Sequence, residues 1–93
     1  MELVISGNQS VTDGMRQAAE SIFSRLSEKF EINSPSVHFE VNGRNTSVSL
    51  CCKSQHSDVV IKSTKPDFYQ AIRTNSKAMQ LKLSEIKSKQ NLS

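Results

Sequence analysis

The sequence has no tryptophan, one tyrosine, two prolines, two cysteines and three glycines in 93 residues, and no apolar run approaches the roughly 18 residues a membrane span needs. Each shortage removes a class of function. Glycine is too sparse for a phosphate-cradling loop, and neither a paired-acid motif nor a nucleophile elbow occurs. Cys51 and Cys52 are adjacent, and on an extended strand adjacent side chains point to opposite faces. A disulfide between them would distort the backbone, so free thiols are expected, Cys52 buried and Cys51 outward. No second cysteine pair exists and His38 and His56 stand alone, so no metal or cofactor is expected. The segment before Asn8, Gln9 and Ser10 is too short for an export signal, and a cytoplasmic protein is expected. Arg44 and Asn45, beside the Asn42-Gly43 turn, are all that suggests the sparse sites of some small hydrolases. No enzymatic activity is expected.

Positive charge, by contrast, is plentiful and unevenly placed. The net charge is +3. Residues 1–34 hold three basic and five acidic residues, residues 35–64 three and two, and residues 65–93 six and two, so the excess lies at the C-terminal end. A cationic surface of this kind suits a polyanion. Arg25 and Lys29, four residues apart, share one helix face, and Arg73, Lys77, Lys87 and Lys89 run along a second helix. If the two helices pack side by side, their outer faces form one continuous basic strip able to grip the phosphates of structured RNA. Phe68 and Tyr69 are the rings nearest that strip, Phe68 on the apolar stripe and Tyr69 at its edge, where it could stack on a base.

Periodicity supplies the elements. Residues 2–7 alternate as a short strand. Ser10, Thr12 and Asp13 offer caps for a helix starting near Thr12, with Met15, Ala19, Ile22, Phe23, Leu26 and Phe30 on its buried stripe, stopped by Asn33-Ser34-Pro35. Three strands follow over residues 36–42, 46–54 and 58–65, the first two joined at Asn42-Gly43 and the last two at Gln55-His56-Ser57. Residues 67–89 read as a second helix with Phe68, Ile72, Met79, Leu83 and Ile86 inward, fraying from Gln90. The expected fold is α+β. It is a single domain spanning residues 1–93, a two-layer β-α-β-β-β-α sandwich in which a four-stranded mixed sheet carries both helices on one face.

These residues also resemble a known family. Met1 to Asn8, Val11-Thr12-Asp13-Gly14-Met15-Arg16, Arg25-Leu26-Ser27-Glu28-Lys29-Phe30 and Asp67-Phe68-Tyr69-Gln70-Ala71-Ile72 look like the short ribosome hibernation-promoting factors, relatives of ribosome-associated inhibitor A. The likeness covers nearly the whole chain, most specifically the run opening the second helix. It implies a fold similar to double-stranded RNA-binding domains. It also implies binding to small-subunit ribosomal RNA at the decoding region, blocking messenger and transfer RNA under stress or in stationary phase. Arg16 and Arg25 match family basic positions and Lys29 extends them; with Lys65, Arg73, Lys77, Lys82, Lys87 and Lys89 they form the candidate RNA-binding set. Ile22, Ala78 and Leu81 stand where relatives often carry a basic residue, and this keeps a second reading in view, a stand-alone RNA-binding or protein-interaction module without ribosome binding. No separate dimerisation domain follows the second helix, so any pairing of ribosomes would require another factor. Off the ribosome a monomer is expected.

Overall fold

The computed structural model describes residues 2–91, with side chains to Ser88. In chain order its elements are β1 (Val4–Gly7), α1 (Asp13–Lys29), β2 (Asn33–Asn42), β3 (Asn45–Ser54), β4 (Ser57–Lys65) and α2 (Phe68–Asn91). The sheet order is β1-β2-β3-β4, with β1 parallel to β2 and the remaining pairs antiparallel. This is the mixed sheet and element order expected from the pattern of strands and helices.

Local chemistry explains the boundaries. The Thr12 hydroxyl accepts the Met15 backbone N–H at 3.1 Å, satisfying one of the orphan donors of the first turn of α1, and Asp13 lies at the positive end of the helix dipole. The helix closes at Phe30, whose N–H reaches the Leu26 carbonyl at 2.8 Å. Asp67 caps α2 twice, accepting the Gln70 backbone N–H at 2.9 Å and its side-chain amide at 2.8 Å. The second helix includes Gln90 and Asn91, and the rest of the segment expected to fray lies outside the described residues.

Three turn expectations are corrected. Asn33-Ser34-Pro35 does not merely end the first helix, because these residues already belong to β2, entering it through an irregularity in which Ser34 takes φ +52°. A bulge accommodates Pro35, which has no N–H to give the ladder. The β2–β3 hairpin turns on Gly43-Arg44 rather than Asn42-Gly43, since Asn42 pairs with Asn45 and Gly43 takes the positive φ of +61°. The β3–β4 turn is Gln55-His56, with φ +49° and +70°, while Ser57 is already in the strand. Neither residue is glycine, so the turn is locally costly, and the Glu31 carboxylate accepting the Gln55 N–H at 3.0 Å holds it.

Alternate strand residues make the core. Ile5, Val37, Phe39, Val48, Leu50, Cys52 and Val59 point toward the helices, where Ala19, Phe23 and Leu26 of α1 and Phe68, Ala71, Ile72, Met79 and Leu83 of α2 meet them. Met15, Ile22, Phe30 and Ile86, expected on the buried stripes, are half-buried at the rim of this cluster. Phe39 and Phe68 meet edge-to-face with centroids 5.6 Å apart. A Cβ on Gly7 would lie 2.5 Å from the Phe39 ring, so only glycine fits there, and past it the Asn8 side chain continues the ladder by bonding both the N–H and the carbonyl of Val41.

One core residue departs from the apolar rule. Asn75 occupies the turn between Ile72 and Met79, is 0% exposed, and donates from Nδ2 to the Val48 carbonyl at 2.7 Å. The Ser63 hydroxyl donates to the Ala71 carbonyl at 3.0 Å. These two bonds pin α2 to β3 and β4, placing its cationic side at a set angle.

Candidate nucleic-acid interface

The two helices run parallel. Their N-terminal ends meet where the Tyr69 hydroxyl approaches Gly14, close enough that a Cβ there would lie 2.5 Å away. Their C-terminal ends meet where Lys87 Nζ donates to the Lys29 carbonyl at 3.2 Å and lies 5.7 Å from the Phe30 ring centroid. Between these ends is a seam. Ile22, Arg25, Leu26, Glu28 and Lys29 line its α1 side against Ser76 and Gln80, and Ser84, Lys87 and Ser88 continue the α2 side against Glu28, Lys29 and Phe30.

Helical phase decides which cations reach this seam. On α2, Arg73, Lys77, Gln80, Ser84 and Lys87 follow one another at spacings of four, three, four and three, so they form one stripe, and its last three members line the seam. Arg25 and Lys29 form the facing stripe on α1. Three exposed cations, Arg25, Lys29 and Lys87, therefore line it, and exposed Arg73 and Lys77 extend the same α2 stripe beyond the lined stretch. Among the described residues none of them lies within 4.0 Å of a carboxylate. Glu28 is the acid that enters the same groove.

The other candidates lie elsewhere. Arg16 is nine residues from Arg25, about half a turn around the helix at roughly 100° per residue, and so lies on the opposite flank of α1. Lys82 is five residues past Lys77, about 140° away by the same geometry, on the flank of α2 turned from α1. Lys65 ends β4 opposite Thr46, exposed beside the start of α2. Lys89 belongs to α2, but its side chain lies outside the described residues. The expected continuous strip over both outer helix faces is thus narrower. α1 carries Asp13, Glu20 and Glu28 against Arg16, Arg25 and Lys29, which leaves its exterior neutral overall, and the cationic character concentrates in the seam and on α2.

Two side chains have roles that spacing alone did not show. Lys87, although exposed, caps the C-terminus of α1, where unpaired carbonyls and the negative dipole end favour a cation. Tyr69 is 47% exposed, but its ring packs edge-to-face on Phe68 at 5.6 Å and its hydroxyl end points to α1, so it braces the two helices rather than standing free as a stacking platform. The signal for Asn75 was a polar residue inside an otherwise apolar stripe.

The remaining sequence candidates gather no chemistry. His38 sits on the open sheet face, its Nδ1 3.2 Å from the Ser6 hydroxyl and its Nε2 3.5 Å from the Glu40 carboxylate. Burial pushes the Cys52 thiol up to about 11, with the neighbouring Cys51 adding to the shift, so Cys52 stays protonated and unreactive near neutrality. Among the described residues no group of three or more histidine, cysteine or acidic side chains could hold a metal ion, and no helix is long and apolar enough to cross a membrane.

Comparison with solved structures shows the same fold. A ribosomal subunit interface protein from Coxiella burnetii is similar with a TM-score of 0.85 at 18% identity, over 95% of this chain and 99% of that one. The N-terminal domain of Protein Y from Thermus thermophilus is similar with a TM-score of 0.80 at 18% identity, over 90% and 94% respectively. No curated protein matches in sequence. The match that does extend through the sequence, over residues 3–91 and so across both helices and all four strands, shows that this chain belongs to the sigma 54 modulation protein / S30EA ribosomal protein family.

Proposed function

We propose that this protein is a cytoplasmic ribosome-associated factor that lays the α1–α2 seam on small-subunit ribosomal RNA. There it occupies the decoding region and blocks messenger and transfer RNA binding under stress or in stationary phase. Family membership supports the ribosomal partner, and the likeness to the ribosomal subunit interface protein of Coxiella burnetii agrees with it. The observation that carries the contact surface is the cationic seam lined by Arg25, Lys29 and Lys87 and extended along the α2 stripe by Arg73 and Lys77, none of the five within 4.0 Å of a carboxylate among the described residues. Spaced point charges on a rigid scaffold recognise the phosphates of a folded RNA by shape, without reading base edges. Inhibition then follows from occupancy and needs no catalytic step.

Competition between the purified protein and transfer RNA for vacant small subunits tests this reading. The wild type should displace transfer RNA. A seam variant, Arg25→Glu with Arg73→Glu and Lys77→Glu, should bind at least about tenfold more weakly near 0.1 M salt, with a salt slope shallower by roughly three. A flank variant, Arg16→Glu with Lys82→Glu, should lose less. Lys87 is left intact because its reversal would also uncap α1. Equal losses in both variants would move the contact surface off the seam. A wild-type protein that stays in the free fraction of a low-salt gradient of stationary-phase lysate would favour the stand-alone module instead.

A further inference from the structure

The outer edge of β4 is nine residues of strand, Ser57–Lys65, and among the described residues no strand lies beyond it in the sheet order. The two-residue hairpin at Gln55-His56 makes Ser54 and Ser57 a hydrogen-bonded pair, which turns the main-chain groups of Ser57 and every second residue after it toward β3. The N–H and carbonyl groups of Asp58, Val60, Lys62 and Thr64 therefore face outward as a template for another strand, one that the charges of Asp58 and Lys62 close to any partner that does not complement them. The side chains of these four residues are exposed on the open sheet face, and Val60 is 65% exposed.

We propose that this edge pairs with the same edge of a second copy, antiparallel and two-fold symmetric about Val60. In that register Val60 opposes its own counterpart, while Asp58 of each copy opposes Lys62 of the other, so one sequence supplies two complementary charge pairs around an apolar centre. The same outward-facing residues exchange about six main-chain hydrogen bonds. A shift of one residue would set the open face of one copy against the core face of the other, so register is specified.

The second layer agrees with this two-fold. Directly opposed strand residues point to one face, so both helix layers lie on the same side of a continuous eight-stranded sheet. α2 covers β3 and β4, which brings the two α2 axes to about 10 Å, the ordinary spacing of packed helices. The Ser63–Ala71 bond fixes where α2 lies along β4. Moving three strand residues back to Val60 covers about 10 Å, or roughly seven residues of helix, and arrives at Ala78. A small residue thus sits at the symmetry axis on the flank away from α1, between exposed Lys82 nearer the sheet and Leu81, 73% exposed, nearer the outer side. The seam is on the other flank, so this inference stands whether or not the ribosomal reading does. It replaces the expectation of a monomer.

Sedimentation velocity from micromolar to millimolar protein tests it. The wild-type mass should rise from one copy to two. Lys62→Asp and Asp58→Lys each place like charges opposite one another and should stay at one copy, whereas their equimolar mixture, which restores both charge pairs, should return to two. Amide exchange followed by nuclear magnetic resonance gives a readout that needs no variant: the N–H groups of Asp58, Val60, Lys62 and Thr64 should slow as wild-type concentration rises. One copy at every wild-type concentration would overturn the proposal. So would a dimer indifferent to both substitutions, a mixture that fails to pair, or protection that spares the four β4 amides.

Discussion

Cys51-Cys52 and Val59-Val60 lie opposite one another on β3 and β4, and each pair is split between two environments. Val59 is 1% exposed and Val60 65%, although the two are chain neighbours of identical chemistry. Cys52 is in the core and Cys51 half-buried on the open face. On the helix side the strands present large apolar groups to α1 and α2; on the other they present Ser6, Ser36, Ser47, Ser49 and Thr64 among balanced charges. The pleat alone makes this division, so an effect that depends on chemistry rather than face should be equal within each pair, and one that depends on packing should not.

The sharpest separation is expected from aspartate at the two valines. Val59→Asp puts an unpaired charge into the core and should remove most or all of the folding stability, of order several kcal/mol. Val60→Asp should stay within about 0.5 kcal/mol in dilute protein, as exposed substitutions do. Thermal or urea unfolding of both variants checks this, and comparable losses would mean that the open face is covered. A smaller effect is expected at Asn75, where alanine deletes the donor to the Val48 carbonyl and should cost about 1–3 kcal/mol without changing the fold. Because the side chain is also the tether of α2, the seam geometry should loosen, visible as a change in the emission of Tyr69, the single tyrosine in a chain without tryptophan.

The smallest effect concerns the two thiols. At pH 8 an alkylating reagent should label Cys51 first and leave Cys52 almost untouched in the folded protein, since burial holds its thiol near 11 against an ordinary value of 9.0. Protonated Cys52 is favoured by folding, so its contribution to stability is complete below about pH 9 and is lost as pH rises toward about 11. Mass spectrometry of the labelled peptide, and melting curves across that pH range, should show this decline vanish in Cys52→Ala. Equal labelling of both cysteines would erase the difference between the faces.

Most of the fold was readable because period-two and helical patterns are local. Strand alternation alone puts Cys52 inward, and the helix stripe alone puts Ile72, Met79 and Leu83 in the core, where they lie. The turns were less readable, since Gln55 and His56 adopt positive φ without glycine, and Pro35 hides in a bulge. For the interface, the residue types were visible but not their grouping. Spacing within α1 separates Arg16 from Arg25, yet only the contacts of Tyr69 with Gly14 and of Lys87 with Lys29 show that the helices are parallel and which flanks face each other.

The order of strands and helices, the identity of the core and the cationic bias of the C-terminal third belong to the sequence by itself, because hydrophobic periodicity and charge count act over a few neighbouring residues. Tertiary structure alone decided which cations line the seam, that Lys87 also serves as a helix cap, and that β4, with Asp58 and Lys62 flanking Val60, has no strand beyond it among the described residues. Those outcomes depend on the relative phase and direction of elements far apart in the chain, and packing, rather than any local preference, sets that phase.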